Sequence, residues 1–210
     1  MAKLLHLQAS PMKDRSYSRR ASEAFLQSYS AGHPGDSVST LDLATMKLPE
    51  FDHITASGKY AILHGKDHSP DEASAWKRIV AVIDDFKSAD KYVVSTGMWN
   101  FGIPYRLKQY IDILVQPTHT FSFDPEKGYS GLVTGKPVKL ILARGGEYPE
   151  GTDAAAYDHQ RSYLELIFGF IGFTDIRTTV IEPTLMGGPD VGKKKLDDAM
   201  AGLKEEAKAF

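Results

Sequence analysis

Short apolar runs alternate with helical patterns along the whole chain, and this alternation most constrains the fold. Each extended run is followed by a segment whose apolar residues recur at three- and four-residue spacing, the period of a helix packed on a core. Right-handed crossovers place such helices on both faces of a parallel sheet. The extended runs are residues 3–7, 37–43, 91–95, 137–142 and 174–180, and the helical segments include residues 16–31, 70–86, 104–114 and 155–171.

Five strands in a chain of this size predict an α/β fold, a three-layer sandwich whose five-stranded parallel sheet has the order 2-1-3-4-5. The 210 residues fit a single domain, residues 1–210, and the 42% hydrophobic and 25% charged residues exclude disorder, collagen and coiled coil. Residues 44–68 and 116–136 are predicted to be long loops, which in compact domains are usually functional or disordered. Within the second, residues 118–123 alternate with period two and suggest half of a hairpin.

The absence of cysteine excludes disulfides, thiolate zinc sites, iron–sulfur clusters and a cysteine nucleophile. The formal net charge of −2 provides no general attraction to nucleic acid or to anionic membranes. No apolar run approaches the ~20 residues of a membrane span, and the apolar stretch at residues 1–9 is too short for a signal peptide. We therefore expect a cytoplasmic protein without nucleic-acid or membrane partners.

In a parallel sheet of this order, ligands bind beyond the carboxyl ends of strands one, three and four. The first of these junctions, residues 10–18, carries hydroxyls at Ser10, Ser16 and Ser18 and leads into a helix. A helix N-terminus with nearby hydroxyls can hold a phosphate, although this segment matches neither a Walker A loop nor the G-x-G-x-x-G pattern. The alternative is that Ser16 only caps the helix, because serine is a preferred N-cap residue.

The other two junctions suit a planar ring. Residues 97–104 combine large apolar side chains, an amide and two glycines, so that backbone groups could bind the edge of a ring while a side chain covers its face. Packing of Trp99 and Phe101 in the core is the alternative for this segment. After strand four, Gly145 and Gly146 let the backbone approach a ligand, and their N–H groups can stabilise an electron-rich atom.

In these segments the chain resembles the FMN-dependent NADH-azoreductases, also described as FMN-dependent NADH:quinone oxidoreductases, of the flavodoxin-like superfamily. The resemblance runs nearly from end to end. It departs from the family at Gly97, where proline is often found, and at Ala143, where serine is often found. The most specific matching pieces are Ser10 with Ser16-Tyr17-Ser18, Met98-Trp99-Asn100-Phe101, Gly131-Leu132-Val133-Thr134-Gly135-Lys136, Arg144-Gly145-Gly146 and Phe168-Gly169-Phe170-Ile171-Gly172.

The resemblance implies an FMN site distributed over the three junctions. The first junction would hold the phosphate, the second would contact the isoalloxazine, and the third would border its pyrimidine edge. Ala143 lacks the hydroxyl of the family's serine, and with it one possible hydrogen bond worth about 1 kcal/mol. The residues implied to bind the cofactor are Ser10, Ser16, Tyr17, Ser18, Met98, Trp99, Asn100, Phe101, Ala143, Arg144, Gly145 and Gly146.

The resemblance also implies a homodimer, because relatives are homodimers with their flavins near the subunit interface. By the same analogy Phe121, Phe123 and Phe170 line the pocket for the electron acceptor. Packing of these three rings in the core or in an interface is the alternative. No side chain is expected to act as an obligatory acid or base, since the flavin performs the electron chemistry.

The activity implied by the resemblance is transfer of a hydride from NADH to FMN, followed by transfer of two electrons to a quinone or an aromatic azo compound in the same pocket. The alternative is a flavodoxin-like electron carrier or regulatory flavoprotein without NADH-dependent turnover; such carriers have strongly acidic surfaces, whereas the net charge here is −2. A phosphate-binding hydrolase would lack its nucleophile, since there is no cysteine and no G-x-S-x-G sequence. No metal site is expected, because Gly65 interrupts any helix that would align His64 with His68.

Overall fold

The computed structural model describes residues 1–210 and contains seven β-strands and six α-helices. The strands are β1 (Lys3–Gln8), β2 (Ser37–Asp42), β3 (Lys91–Gly97), β4 (Phe121–Asp124), β5 (Gly128–Gly131), β6 (Pro137–Ala143) and β7 (Asp175–Ile181). Five of them form one parallel sheet in the order β2-β1-β3-β6-β7, and β4 pairs with β5 in an antiparallel hairpin.

The predicted α/β class with a five-stranded parallel sheet is confirmed. The predicted order 2-1-3-4-5 differs from the observed numbering, because it counts only the sheet strands while β4 and β5 of the hairpin precede the last two of them. The central strands β1, β3 and β6 are buried along nearly their whole length, as expected for a sheet covered on both faces. Strand β2 lies at an edge and is largely exposed.

Side-chain caps mark the start of three of the helices. Ser69 and Glu72 form a reciprocal capping box at the start of the third helix. The fifth helix begins later than predicted, because the Asp158 carboxylate accepts hydrogen bonds from the N–H groups of Gln160 and Arg161 and starts the helix there. None of the helices is long and apolar enough to span a bilayer. The helices are α1 (Tyr17–Gly32), α2 (His53–Leu63), α3 (Pro70–Lys87), α4 (Tyr105–Leu114), α5 (Arg161–Ile171) and α6 (Pro189–Lys208).

Two apolar clusters lie on opposite faces of the sheet. The larger cluster packs α3, α4 and α5 against one face through buried residues such as Ile79, Leu107 and Leu164. The smaller cluster packs α1 and α6 against the other face through Phe25 and Leu203. The expected three layers are therefore present, and the carboxyl ends of the strands are left open between them.

The two segments predicted to be long loops contain regular structure, so that part of the prediction is wrong. Residues 44–68 include α2, whose N-cap Asp52 accepts a hydrogen bond from the N–H of Thr55 at 2.9 Å. Helix α2 lacks a one-sided apolar pattern because several of its apolar side chains remain exposed. Residues 116–136 include the hairpin, and the period-two stretch at 118–123 contributes to its first strand.

A contact between two glycines fastens the hairpin to the end of α5. Gly172 ends α5 with a φ of 119°, and the N–H of Val133 donates to the carbonyl oxygen of Ile171 at 2.8 Å. A Cβ atom at Gly131 would lie 2.3 Å from the backbone nitrogen of Gly172. Since no side chain fits between these two backbones, only glycine is compatible with position 131.

His6 is buried in β1, and both of its ring nitrogens face hydroxyl groups. Nε2 lies 2.8 Å from Ser95 Oγ, and Nδ1 lies 3.2 Å from Thr40 Oγ1. Burial, with a smaller effect from the positive charge of Arg19, lowers the pKa of His6 to about 4. The imidazole is therefore neutral at physiological pH and bridges strands β2, β1 and β3.

Replacing Gly131 with alanine is expected to destabilise the protein by about 1–3 kcal/mol, because the new methyl group forces two backbones apart. Gly169→Ala is the matched control, since a Cβ there would meet only Ile176 Cδ1 at 4.0 Å and alanine favours a helix. Urea denaturation measures both variants. Equal free energies of unfolding in the two would contradict the role of the glycine contact.

Lowering the pH is expected to destabilise the protein through His6 at pH values where the carboxylates of the protein are still ionised. Because the pKa of His6 is about 4 in the fold and about 6.5 in the unfolded chain, the unfolded state binds the extra proton as pH falls through this interval. The contribution of His6 to the free energy of unfolding should drop by about 2 kcal/mol between pH 7 and pH 5. Urea denaturation at both pH values should show this drop in the parent protein and a smaller one in His6→Gln. A drop of the same size in both would exclude His6 as its source.

Candidate functional site

The three junctions predicted to bind a ligand meet at one edge of the sheet. Strands β1, β3 and β6 are neighbours. Gln8 pairs with Ser95 and Gly97 pairs with Ala143, so the three strand ends lie side by side. This edge is the place where ligands bind in parallel sheets of this topology.

The first junction presents hydroxyl and amide groups at the start of α1. Ser16 and Ser18 are buried, with their Oγ atoms 3.2 Å apart, and Ser10 is buried beside the end of β1. Ser16 Oγ also accepts a hydrogen bond from the N–H of Arg19 at 3.2 Å, so the predicted capping role is confirmed. The N–H groups of Tyr17 and Ser18 donate no hydrogen bond within the protein. Capping by Ser16 therefore still leaves donors at the positive end of the helix dipole.

The side chain of Tyr17 points away from these hydroxyls. Its hydroxyl lies where α6 begins, 2.9 Å from the position that a Cβ on Gly192 would take, and its ring packs against the smaller apolar cluster. Tyr17 can therefore serve an anion at the first junction only through its backbone N–H.

The second junction is a tight turn held by two backbone hydrogen bonds between Trp99 and Gly102, of 3.0 and 2.9 Å. Inside this turn Asn100 and Phe101 have φ values of 47° and 67°. Positive φ in two consecutive residues other than glycine is unfavourable and is concentrated at functional sites. The N–H groups of Asn100 and Phe101 donate no hydrogen bond within the protein.

The side chains of the second junction face outward. Trp99 is 41% exposed and Phe101 is 46% exposed, so the alternative that they pack in the core is wrong. The N–H of Met98 donates to the carbonyl oxygen of Ala143 at 2.8 Å, which ties this turn to the end of β6. The methyl group of Ala143 packs in the smaller apolar cluster. The turn therefore offers two large rings at the open edge of the sheet.

The third junction leaves two backbone N–H groups without an acceptor in the protein. The carbonyl oxygen of Gly145 accepts hydrogen bonds from the N–H groups of Leu185 and Met186, at 3.1 and 3.0 Å, whereas the N–H groups of Gly145 and Gly146 donate none within the protein. A Cβ on Gly145 would lie 3.0 Å from Leu185 Cδ1, so the close approach of these segments favours glycine there.

The side chain of Arg144 points into the protein, with 2% of it exposed. Its guanidinium forms ion pairs with Asp158 and Glu182, with N–O distances of 2.7 and 3.4 Å. Its Nε donates to Gln160 Oε1 at 3.2 Å. Arg144 therefore contributes its backbone to the site, while its side chain binds Asp158, Glu182 and Gln160 inside the protein.

Taken together, the three junctions can bind an anion at the start of α1 and a flat ring beside it. The first junction provides hydroxyl and N–H donors, the second provides aromatic rings, and the third provides unpaired N–H groups. Such a donor set is complementary to a planar heterocycle that carries a phosphate-ended chain.

Known proteins similar to this chain cover its whole length. The family model described as the flavodoxin-like fold matches residues 2–207. An FMN-dependent NADH:quinone oxidoreductase from Nitratidesulfovibrio vulgaris is 48% identical over 210 residues, which is 100% of both chains. The chain belongs to this oxidoreductase family. Another member, from Desulfotalea psychrophila, is 47% identical over 185 residues, which is 88% of this chain and 87% of that one.

Solved structures from the family share the fold. An azoreductase from Bacillus anthracis str. Sterne matches with a TM-score of 0.91 and 34% identity, over 100% of both chains. An FMN-dependent NADH-azoreductase from Bacillus anthracis str. Ames Ancestor, in complex with FMN, matches with a TM-score of 0.88 and 26% identity, over 99% of this chain and 98% of that one. The family membership expected from the motifs is confirmed.

Sequence reasoning about the oxidoreductase site missed two aromatic neighbours of Phe101. The ring centroid of Tyr157 lies 5.1 Å from that of Phe101, and the centroid of Tyr148 lies 6.4 Å from it. Tyr148 follows the Arg-Gly-Gly sequence directly, which was a usable signal. Tyr157 comes from a short 3-10 helix at Asp153–Tyr157, and no spacing in the sequence points to it.

The predicted acceptor residues Phe121, Phe123 and Phe170 lie together, but away from the three junctions of their own chain. The rings of Phe121 and Phe170 have centroids 4.9 Å apart, and Tyr129, which the sequence did not suggest, lies 5.0 Å from Phe123. Phe170 is at the C-terminal end of α5, about 14 Å along the helix axis from its first residue. Contact with the second junction occurs at the other end of α5, where the N–H of His159 donates to the carbonyl oxygen of Phe101 at 3.0 Å.

The histidines near Gly65 have structural partners. His64 ends α2, and His68 Nε2 lies 2.9 Å from the carbonyl oxygen of Gly58. No group of three or more potential metal ligands is gathered in the structure. His68 therefore ties α2 to the segment before α3.

Proposed function

We propose that this protein is an FMN-dependent oxidoreductase that uses NADH to reduce quinones and aromatic azo compounds. The observation that carries the proposal is the convergence of hydroxyl groups and unpaired N–H donors at three neighbouring strand ends. The chain in which they converge is 48% identical, over its full length, to a named FMN-dependent NADH:quinone oxidoreductase. The donor set fits FMN at both of its ends, the phosphate and the ring.

The phosphate end of FMN fits the start of α1. Ser10, Ser16 and Ser18 supply hydroxyls, and Tyr17 and Ser18 supply backbone N–H groups that have no other acceptor. These groups lie at the N-terminus of a 16-residue helix, where the dipole favours a negative charge. Charge-assisted hydrogen bonds of this kind are about twice as strong as neutral ones. The first junction therefore anchors the cofactor.

The ring end of FMN fits between the second and third junctions. Met98, Trp99, Asn100 and Phe101 would contact one side of the isoalloxazine, with the N–H groups of Asn100 and Phe101 directed to its edge. The N–H groups of the Gly145–Gly146 turn would donate to the pyrimidine edge, where negative charge accumulates on reduction.

When bound, FMN supplies the redox chemistry, accepting a hydride from NADH and passing two electrons to the quinone or azo compound. The protein binds and orients the two flat substrates in turn on the exposed face of the ring. The rings of Trp99 and Phe101 would provide apolar surface for the opposite face of the flavin. No side chain of the three junctions is placed as an obligatory acid or base.

We further propose that the functional unit is a cytoplasmic homodimer of single flavodoxin-like domains, residues 1–210. The position of Phe121, Phe123 and Phe170 supports the dimer. These rings lie at the far end of α5 from the junctions of their own chain, and Phe123 is 62% exposed. They would line the acceptor pocket of a neighbouring subunit rather than their own.

Steady-state kinetics test the shared pocket. If NADH and a quinone such as menadione occupy the same place in turn, double-reciprocal plots should give parallel lines. The yellow absorption of the FMN-loaded protein should disappear when NADH is added anaerobically, and it should return when menadione is added. Intersecting lines would contradict the alternating pocket. A loaded protein that NADH leaves yellow would favour an electron carrier.

Replacing Ser18 with alanine is expected to raise the Kd for FMN about 10-fold or more, because a hydrogen bond to a charged group contributes about 1.5–3 kcal/mol. The Kd for riboflavin, which has no phosphate, should remain unchanged. Ser22→Ala is the matched control, since Ser22 is equally buried one turn later but donates to the carbonyl oxygen of Arg19. Quenching of flavin fluorescence measures the Kd of each flavin for the parent protein and for both variants. An equal effect of Ser18→Ala on both flavins would argue against a phosphate contact.

A further inference from the structure

We infer that Arg144 is a positioning residue, whose buried guanidinium holds the second and third junctions in the geometry that the flavin ring requires. The inference rests on the FMN site proposed above. Four segments are involved: the end of β6, the end of β7, the start of α5 and the turn after β3.

The guanidinium is enclosed by acceptors and has no surface at the open edge of the sheet. It is 2% exposed, and it pairs with Asp158 at 2.7 Å and with Glu182 at 3.4 Å, while Nε donates to Gln160. The Asp158 and Glu182 side chains are themselves only 15% and 24% exposed. Removal of the arginine would leave two poorly solvated carboxylates facing each other without a positive charge.

Each partner of the guanidinium holds one of the surrounding segments. Asp158 caps α5 by accepting from the N–H groups of Gln160 and Arg161. Glu182 accepts from the N–H of Tyr148 at 3.3 Å, which fixes the end of the Gly145–Gly146 turn. One planar side chain with five donors can connect these groups simultaneously, which a lysine could not do.

The connection continues to the turn after β3. His159, between Asp158 and Gln160, donates its N–H to the carbonyl oxygen of Phe101 at 3.0 Å. Phe101 has positive φ and needs support from its surroundings to keep that conformation. Through Asp158 and His159 the guanidinium thus supports the strained turn beneath the ring.

The backbone of Arg144 is also held by hydrogen bonds. A change at its side chain is therefore expected to affect the adjacent Gly145–Gly146 turn. Its N–H donates to the carbonyl oxygen of Ile181 at 3.0 Å, and its own carbonyl oxygen accepts from the N–H of Thr184 at 2.8 Å. The guanidinium and both backbone groups of Arg144 are therefore fixed directly beside the next two N–H groups, which have no acceptor within the protein. Loss of the guanidinium contacts would therefore loosen the donors at the pyrimidine edge without touching the phosphate site.

The variants that test this inference are Arg144→Gln and Asp158→Asn, with Arg161→Gln as the control. Arg161 also carries two carboxylate contacts, with Glu150 and Glu165, but its side chain is 41% exposed and it contacts none of the three junctions. Asp158→Asn keeps the oxygen that caps α5 and replaces the oxygen that pairs with Arg144 by an NH2 group, which removes the ion pair. The measurements on the FMN-loaded proteins are the Kd for FMN, the Kd for riboflavin, the midpoint potential of the bound FMN and the Tm.

Arg144→Gln is expected to raise the Kd values of FMN and riboflavin by the same factor, about 10-fold, because the ring contacts weaken and the phosphate contacts do not. The reduced ring, which depends more on the N–H donors, should lose a further 10-fold in affinity, which lowers the midpoint potential by about 30 mV. Asp158→Asn should shift the same quantities in the same direction, but by less, because it leaves the ion pair of Arg144 with Glu182 in place. Arg161→Gln should leave them within 2-fold of the parent.

Two results would overturn the inference. One is a lower Tm in Arg144→Gln and Asp158→Asn with unchanged flavin affinities and midpoint potential, which would mean a purely structural role. The other is a rise in the Kd for FMN alone, which would place the effect at the phosphate. If Arg144→Gln does not fold, Asp158→Asn decides by the same criteria. A parent protein that binds no flavin would instead refute the proposed function, together with the inference that rests on it.

Discussion

Parallel pairing of β1, β3 and β6 is the interaction on which the rest of the structure depends. Their hydrogen-bonded registers, with Gln8 opposite Ser95 and Gly97 opposite Ala143, bring three segments that are distant in sequence to one edge of the sheet. None of these segments forms a site alone, since each provides a few donors or one pair of rings. Their convergence is what makes an anion and a flat ring bind together, and it follows from the strand order rather than from any single motif.

The geometry of the site depends on buried contacts behind it as well as on the groups that face the ligand. The turn at Trp99–Gly102 contains two residues with positive φ, a conformation that persists only when neighbouring contacts enforce it. A hydrogen bond from His159 and the buried ion pairs of Arg144 provide such contacts. On the opposite side, the neutral His6 joins β2, β1 and β3 beneath the first junction. Buried charged and polar groups are thus arranged behind a set of N–H groups that have no partner within the protein.

Local patterns predicted much of the fold because they depend on neighbours in sequence. Periods of two and of three to four residues located the five sheet strands and the helices α1, α3 and α4 to within a few residues, and located α5 with a start six residues too early. Helix α2 was not predictable in this way, since its apolar side chains remain exposed and its start depends on the Asp52 cap. Only part of the hairpin was suggested, because its attachment depends on contact between Gly131 and Gly172, 41 residues apart by their numbers in the chain.

The sequence by itself determined the α/β class, the three junctions and the family, because repeated spacing and ordered motifs can be recognised without knowledge of long-range contacts. Only the tertiary structure decided where individual side chains point. The guanidinium of Arg144 turns inward because its carboxylate partners come from the ends of β7 and α5, and Tyr17 turns toward α6. Phe121 and Phe170 meet at the far end of α5 from the junctions. Such directions depend on partners that are remote in sequence, and therefore no local pattern encodes them.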